Sequence, residues 1–298
     1  FNRMAKYTNR GGGVSFSPHG HHVYFVGAFD YTGQGGYRIV LDGVPGPTGP
    51  QSVAFSPDGR HYAYAVTQPN GSGYILVDGK RQSSGGQFQF GADGRVVVTV
   101  PGPSGQSLVI DGHTLVTAHA IGAVYTSSVG QRVVTSIQPK SEGPYSLWVD
   151  GRTVAGDCML NGVTFSADGK RYIAVCKSDT GEFAVVDGHK GQEYFHIKDA
   201  MDAPVFTGDG AHVIYQSMVK RGENIIVNFV VVDDKEFGPY GNLVGFGTSG
   251  DGAGPSIMVS AHGGGYAFAA LASGDPIGNT QTVIWNGRTP WSPIAAEG

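Results

Sequence analysis

Charge is scarce in this chain. Its 298 residues hold 20 Lys plus Arg against 24 Asp plus Glu, a formal net charge of -4. That balance offers no electrostatic attraction to nucleic acid or to an anionic membrane surface, and the one basic pair of note, Lys220-Arg221, sits in a turn-like stretch. No apolar run approaches the length of a membrane span. Runs of the good helix formers Ala, Leu, Glu and Lys are missing, while Val, Tyr, Phe and Thr dominate the apolar stretches, the preference of strands. Cysteine occurs only twice, at Cys158 and Cys176. The start at Phe1 rather than Met, with low charge and abundant Gly, Ser and Thr, is expected to mark a mature, exported chain.

Glycine is plentiful, 49 of 298 residues, and it recurs in two alternating phrases. The first is Phe-Ser-Pro-Asp-Gly, as in Phe55 to Gly59; it recurs more loosely at Phe16, Phe90, Phe165 and Phe206, with worn copies near Thr126 and Val259. The second is Val-Asp-Gly, as in Val77 to Gly79; it ends at Asp42, Asp78, Asp111, Asp150, Asp187 and Asp233, with Asn286 as a worn seventh. A self-similar period of roughly 40 residues signals a repeat architecture, each unit being too small for its own core.

One unit, Val53 to Phe90, shows what the phrases build. Val53-Ala54-Phe55 reads as a short strand, Ser56 to Gly59 as a turn and His61 to Val66 as a second strand. In that turn Pro presets φ, Asp hydrogen-bonds the backbone and Gly takes the positive φ. A third strand from Tyr74 to Val77 meets Asp78-Gly79, a two-residue hairpin signal, and a fourth starts at Lys80. Four antiparallel strands per unit and seven units predict an all-β fold, a single seven-bladed β-propeller over residues 1–298.

These phrases, each followed by a polar residue and an alternating aromatic strand, resemble the WD-repeat-like propellers of the TolB type, over nearly the whole chain. The resemblance implies the fold, and it leaves function open among partner-binding scaffolds, protease-associated propellers and lyases. No Gly-x-Ser-x-Gly elbow accompanies it, and an appended hydrolase domain is not expected. For closure of the last blade, residues 1–13 are expected to add the outer strand, with Arg288 to Ile294 as the rival.

Successive strands in a blade are antiparallel, so both phrases decorate one face of the propeller and the other carries the irregular connections. Binding usually resides in irregular loops on a rigid scaffold. The return crossings run 12 to 15 residues between phrase anchors, except for 19 from Asp187 to Phe206 and 26 from Asp233 to Val259. The functional rim is therefore expected at Tyr194, His196, Lys198, Asp199 and Asp202 from one crossing and Glu236, Tyr240, Asn242 and Asp251 from the other. The Gly-rich stretch Gly245 to Gly254 reads equally as a tolerated insertion, since each doubling of loop length costs only about 0.6 kcal/mol.

Recurrent polar residues are poor candidates for chemistry. His19-Gly20-His21-His22 suggests a metal cluster, yet His22 occupies the slot of His61 and His212, and His19 that of the turn residue Asp58, so no metal site and no cofactor are expected. The recurrent aspartates, Asp58, Asp93, Asp168, Asp209 and the Asp78 series, are each explained by their own turn. Singular residues are better: His196 with Asp199 or Asp202 as an acid-base pair, then His119, Asp157 and Asn161. Against them stands the reading of surface polar groups in solvated loops. Cys158 and Cys176 both fall near the irregular face, which makes a disulfide geometrically possible; two buried free thiols are the other reading.

The expected function is an extracytoplasmic binding or assembly module, presenting the irregular face to a protein or carbohydrate partner or to another copy. The alternative is a propeller enzyme, a hydrolase or lyase with His196 or His119 at the channel mouth.

Overall fold

The structure, a computed structural model, describes residues 14–28, 37–48, 53–68, 73–84, 86–198, 203–222, 225–244, 256–272 and 281–287. Both candidates for closing the last blade, 1–13 and 288–294, lie outside them, as do Asp199, Asp202 and Asp251. The chain forms two compact units, 1–133 with 137–143 and 134–136 with 144–298, and the boundary falls within blade 4.

The fold is all-β, seven successive antiparallel blades of a seven-bladed β-propeller. Blade 2 is Ala54–Phe55, Tyr62–Thr67, Gly73–Val77 and Lys80–Ser84, paired in chain order. Blades 1, 3 and 5 follow the same order, blade 5 as Met159–Phe165, Tyr172–Lys177, Glu182–Val186 and His189–Tyr194. Blade 6 departs from it. Its first strand is split into His196–Ile197 and Val205–Phe206, both paired with Val213–Lys220; Ile226–Val232 and Lys235–Val244 complete it. The far end of Lys235–Val244 also pairs with Tyr266–Ala272 of blade 7, so the two blades run together as one eight-stranded sheet.

Strand position within a blade explains the composition. Middle strands are covered on both faces: Val213–Lys220, reading Val-Ile-Tyr-Gln-Ser-Met-Val-Lys, is buried over its first five residues. Ile173, Val175 and Ala184 of blade 5 pack there with Tyr194, Ile197, Phe206, Tyr215 and Val231. Full burial of such side chains stabilises by roughly 1.5–3 kcal/mol each. Outer strands face solvent on one side, and Lys80–Ser84 (Lys-Arg-Gln-Ser-Ser) is accordingly polar.

The repeated phrases form one network. In the Phe-Ser-Pro-Asp-Gly turn of blade 2 the Asp58 carboxylate accepts the Arg60 N–H at 3.1 Å and Ser56 Oγ accepts the His61 N–H at 3.0 Å. Asp168 is bound the same way, by the Ser166 hydroxyl, the Lys170 N–H and the Lys170 side chain, which hold its pKa down at about 2. Val-Asp-Gly aspartates adopt left-handed φ, 49° at Asp78, followed by Gly79 at 75°, as a type I′ hairpin requires. Their carboxylates do not stay in their own turn, as the sequence reading held. Asp78 Oδ1 accepts the Tyr62 N–H at 3.1 Å, and Asp42, Asp111, Asp187 and Asp233 make the same bond to the start of the second strand. Asn286 does so in blade 7, at 2.9 Å. Both phrases therefore meet on one face.

The histidine slot belongs to this network. His22 Nδ1 lies 2.7 Å from Asp42 and its Nε2 2.9 Å from the Arg60 carbonyl of the next blade; His61 pairs with Asp78 and His212 with Asp233. Arg171 does the same work in blade 5, binding Asp187 and the carbonyls of Gly210 and Ala211 in blade 6. Adjacent turns press close: a Cβ on Gly59 would lie 1.8 Å from the Pro18 carbonyl oxygen, so glycine is required there, where φ is also +71°.

Candidate functional site

The irregular face of blades 5 and 6 is organised by the crossing at residues 194–198. Tyr194 closes the outer strand of blade 5 and is 5% exposed. Its hydroxyl donates to Glu236 Oε1 at 2.7 Å, and its ring meets Tyr215 edge-on at 6.4 Å. Burial, then the Glu236 carboxylate, raise the pKa of that phenol far above its ordinary value. The two residues expected to reach outward from separate crossings are thus joined to each other.

The next residues pair with blade 6. Phe195 N–H donates to the Met218 carbonyl, His196 and Ile197 sit opposite Met218 and Ser217, and Lys198 N–H donates to the Gln216 carbonyl. His196 Nδ1 lies 2.9 Å from Oε2 of Glu182, and the same oxygen accepts the Ile197 N–H at 2.8 Å. Glu182 opens the third strand of blade 5 and is buried. Among the described residues the carboxylate paired with His196 is Glu182; Asp199 and Asp202 lie outside them. Sequence reasoning missed Glu182 although it meets the criterion of singularity, an acid entering the apolar run Phe-Ala-Val-Val, because it opens a third strand and lies outside the return crossings.

Within blade 6 a chain of amides runs from one crossing toward the other. Gln216 Nε2 donates to Asn228 Oδ1 at 2.9 Å, and Asn228 Nδ2 to the Gly241 carbonyl at 2.8 Å. Tyr240 meets Phe268 edge-on at 6.0 Å, and burial raises its pKa. Asn242 lies in Lys235–Val244 with its backbone paired to Leu271. Among the remaining candidates, His119 is exposed at a bend, Asp157 takes a left-handed φ of 49°, and Asn161 falls where the register slips between Leu160 and Gly162. Cys158 and Cys176 form a disulfide with Cα atoms 4.8 Å apart, tying the entry into blade 5 to its second strand. No group of three or more His, Cys, Asp or Glu able to hold a metal occurs among the described residues.

Four large apolar side chains of blades 5 and 6 are left in solvent. Met159 is 60% exposed, Phe195 53%, Ile225 60% and Ile226 42%. Met159 opens the first strand of blade 5 opposite Lys177, and Ile226 opens the third strand of blade 6 opposite Lys220, so all four lie at irregular-face strand ends. Exposed Lys177, Lys220 and Arg221 accompany them.

No family model matches this chain, and no curated protein matches it. Solved structures similar to it include TolB from Acinetobacter baumannii, at 14% identity over 75% of this chain and 61% of that one, TM-score 0.32. An oligogalacturonate lyase in complex with manganese matches at 13% identity over 85% and 84%, TM-score 0.35. Prolyl oligopeptidase B from Galerina marginata matches at 12% identity over 95% of this chain and 50% of that one, TM-score 0.37. The chain thus spans less than two thirds of TolB and half of the oligopeptidase. No helix among the described residues is long and apolar enough to cross a membrane.

Proposed function

We propose that this propeller is an extracytoplasmic binding module that captures a protein partner on the irregular face of blades 5 and 6. The observation that carries the reading is the group of four large apolar side chains, Met159, Phe195, Ile225 and Ile226, held in solvent at strand ends. Large apolar side chains left in solvent at strand ends of a fixed frame, with the polar Lys177, Lys220 and Arg221 paired beside them, have the composition of a protein interface core. The frame is preorganised by the Glu182 carboxylate, the Tyr194 to Glu236 bond and the Cys158–Cys176 bridge, which lowers the ordering cost of association. The disulfide also supports an oxidising compartment.

The enzyme reading has one support, the His196 to Glu182 pair. Its carboxylate oxygen already accepts the Ile197 N–H, which suits a tether that positions the crossing better than a general base. The test is a double substitution, Phe195→Ser with Ile225→Ser. It should leave the thermal midpoint within about 2 °C and abolish co-purification of the partner from a native extract, because truncating central anchors costs roughly 2 kcal/mol or more each. Undiminished capture would overturn the assignment; turnover of a glycan, lactone or ester panel, lost in His196→Ala, would favour the enzyme.

A further inference from the structure

The first strand of blade 3, Gln87–Phe90, is the edge strand of its sheet, and beside it lies a cavity of about 430 Å³. The volume is toward the small end of ligand pockets, which run from about 300 to 1,000 Å³. It would hold one or two sugar rings and would be overfilled by the five or six residues of an added peptide strand.

Part of the lining carries little or no side chain, at Ala65, Gly86, Gly122 and Ala123, and Phe88, Val97 and Val124 are its larger apolar members. Gly86 is not replaceable, since a Cβ there would lie 2.3 Å from the Thr99 carbonyl oxygen. Polar groups enter from one face of the sheet. Gln87 stands directly opposite Thr99, and Gln89 opposite Val97. Gln89 is fixed by its Nε2 donating to the Val124 carbonyl at 2.8 Å, which leaves its Oε1 to accept from a ligand. A primary amide both donates and accepts, and so does a hydroxyl.

The described lining contains no charged and no titratable side chain. A phosphate, carboxylate or ammonium would enter without a counter-charge and lose its hydration uncompensated. A wholly apolar ligand would leave the amides unpaired. With neither a general base nor an activated nucleophile in the lining, a ligand held there is bound and not turned over. We infer that this cavity is a binding site for a neutral, polyhydroxylated ligand, a saccharide of one or two rings. The inference is independent of the protein-capture reading, with which it shares no residue.

The experiment is saturation-transfer NMR on the full chain with glucose, N-acetylglucosamine and maltose as probes, and with glucuronate and triglycine as controls. At least one neutral sugar should show saturable transfer. Ala123→Phe, which fills the space, should abolish it; Gln87→Ala should weaken it roughly tenfold. Melting is followed for each variant, and the exposed Gln87 keeps the test decisive if Ala123→Phe unfolds. No transfer to any neutral sugar from folded wild type overturns the proposal, as does transfer unaffected by Gln87→Ala, or tighter binding of glucuronate or triglycine.

Discussion

The two faces of this propeller use polar residues in opposite ways. On the phrase-bearing face, Asp42, Asp78, Asp187 and Asp233 repeat one bond to the second strand, and His22, His61, Arg171 and His212 occupy one slot beside them. From the irregular end of blades 5 and 6 inward each bond is made once: Glu182 to His196 and Ile197, Gln216 through Asn228 to Gly241, and Tyr194 to Glu236, which itself lies one pair from the Asp233 turn. Recurrence there marks scaffold. The proposed capture surface is drawn from the singular side, where Met159, Phe195, Ile225 and Ile226 stand in solvent at strand ends.

The comparison can be strained hardest at the disulfide. Reduction, or Cys158→Ala with Cys176→Ala, should cost about 3 kcal/mol for a loop of 18 residues in the chain-entropy model. Urea unfolding with and without reductant measures it, and an unchanged midpoint would mean the irregular face does not depend on the bridge.

Next in size is Glu182→Ala, which strips a partner from the Ile197 N–H in a buried place and should cost about 1–3 kcal/mol by chemical denaturation. Asp78→Asn on the other face should cost under about 0.5 kcal/mol. Blade 7 already carries Asn286 in that slot, bound to the Tyr266 N–H. Equal losses at the two positions would erase the distinction between singular and repeated bonds.

A smaller effect is expected from pH on the phrase-bearing face. The Arg60 carbonyl and then Asp42 raise the pKa of His22 above 6.5, so its contribution is complete below pH 6.5 and lost as pH rises through the folded value. Asp168 has the opposite sign: its contribution is complete above pH 3.8 and lost as pH falls toward about 2. The urea midpoint should therefore be highest between these limits, and replacing His22 by Gln should flatten the alkaline side. An unaltered alkaline profile in that variant would remove His22 from the network.

The blades were legible because turn chemistry is local. Asp78-Gly79 located the hairpin between Gly73–Val77 and Lys80–Ser84, and the second strand expected from His61 to Val66 is Tyr62–Thr67. The crossings were legible in length and not in content. His196–Ile197 is a two-residue strand, too short for any periodicity, and exists through its pairing with Met218 and Ser217. Lys235–Val244 contains Gly238, Pro239 and Gly241, which read as a loop; the strand admits them through a register slip opposite Asn228 and Val230. Tyr194 and Glu236 could be named from the sequence, but their bond joins residues 42 positions apart and depends on packing between blades.

Site-specific photo-cross-linking tests the central claim most directly. A photoreactive residue replacing Phe195 is compared with one replacing Val44, which is exposed beside the Asp42-Gly43 turn on the phrase-bearing face. The account predicts a discrete cross-linked polypeptide, identifiable by mass spectrometry, from position 195 and none from position 44. The same polypeptide captured at position 44 and absent at position 195 would contradict it.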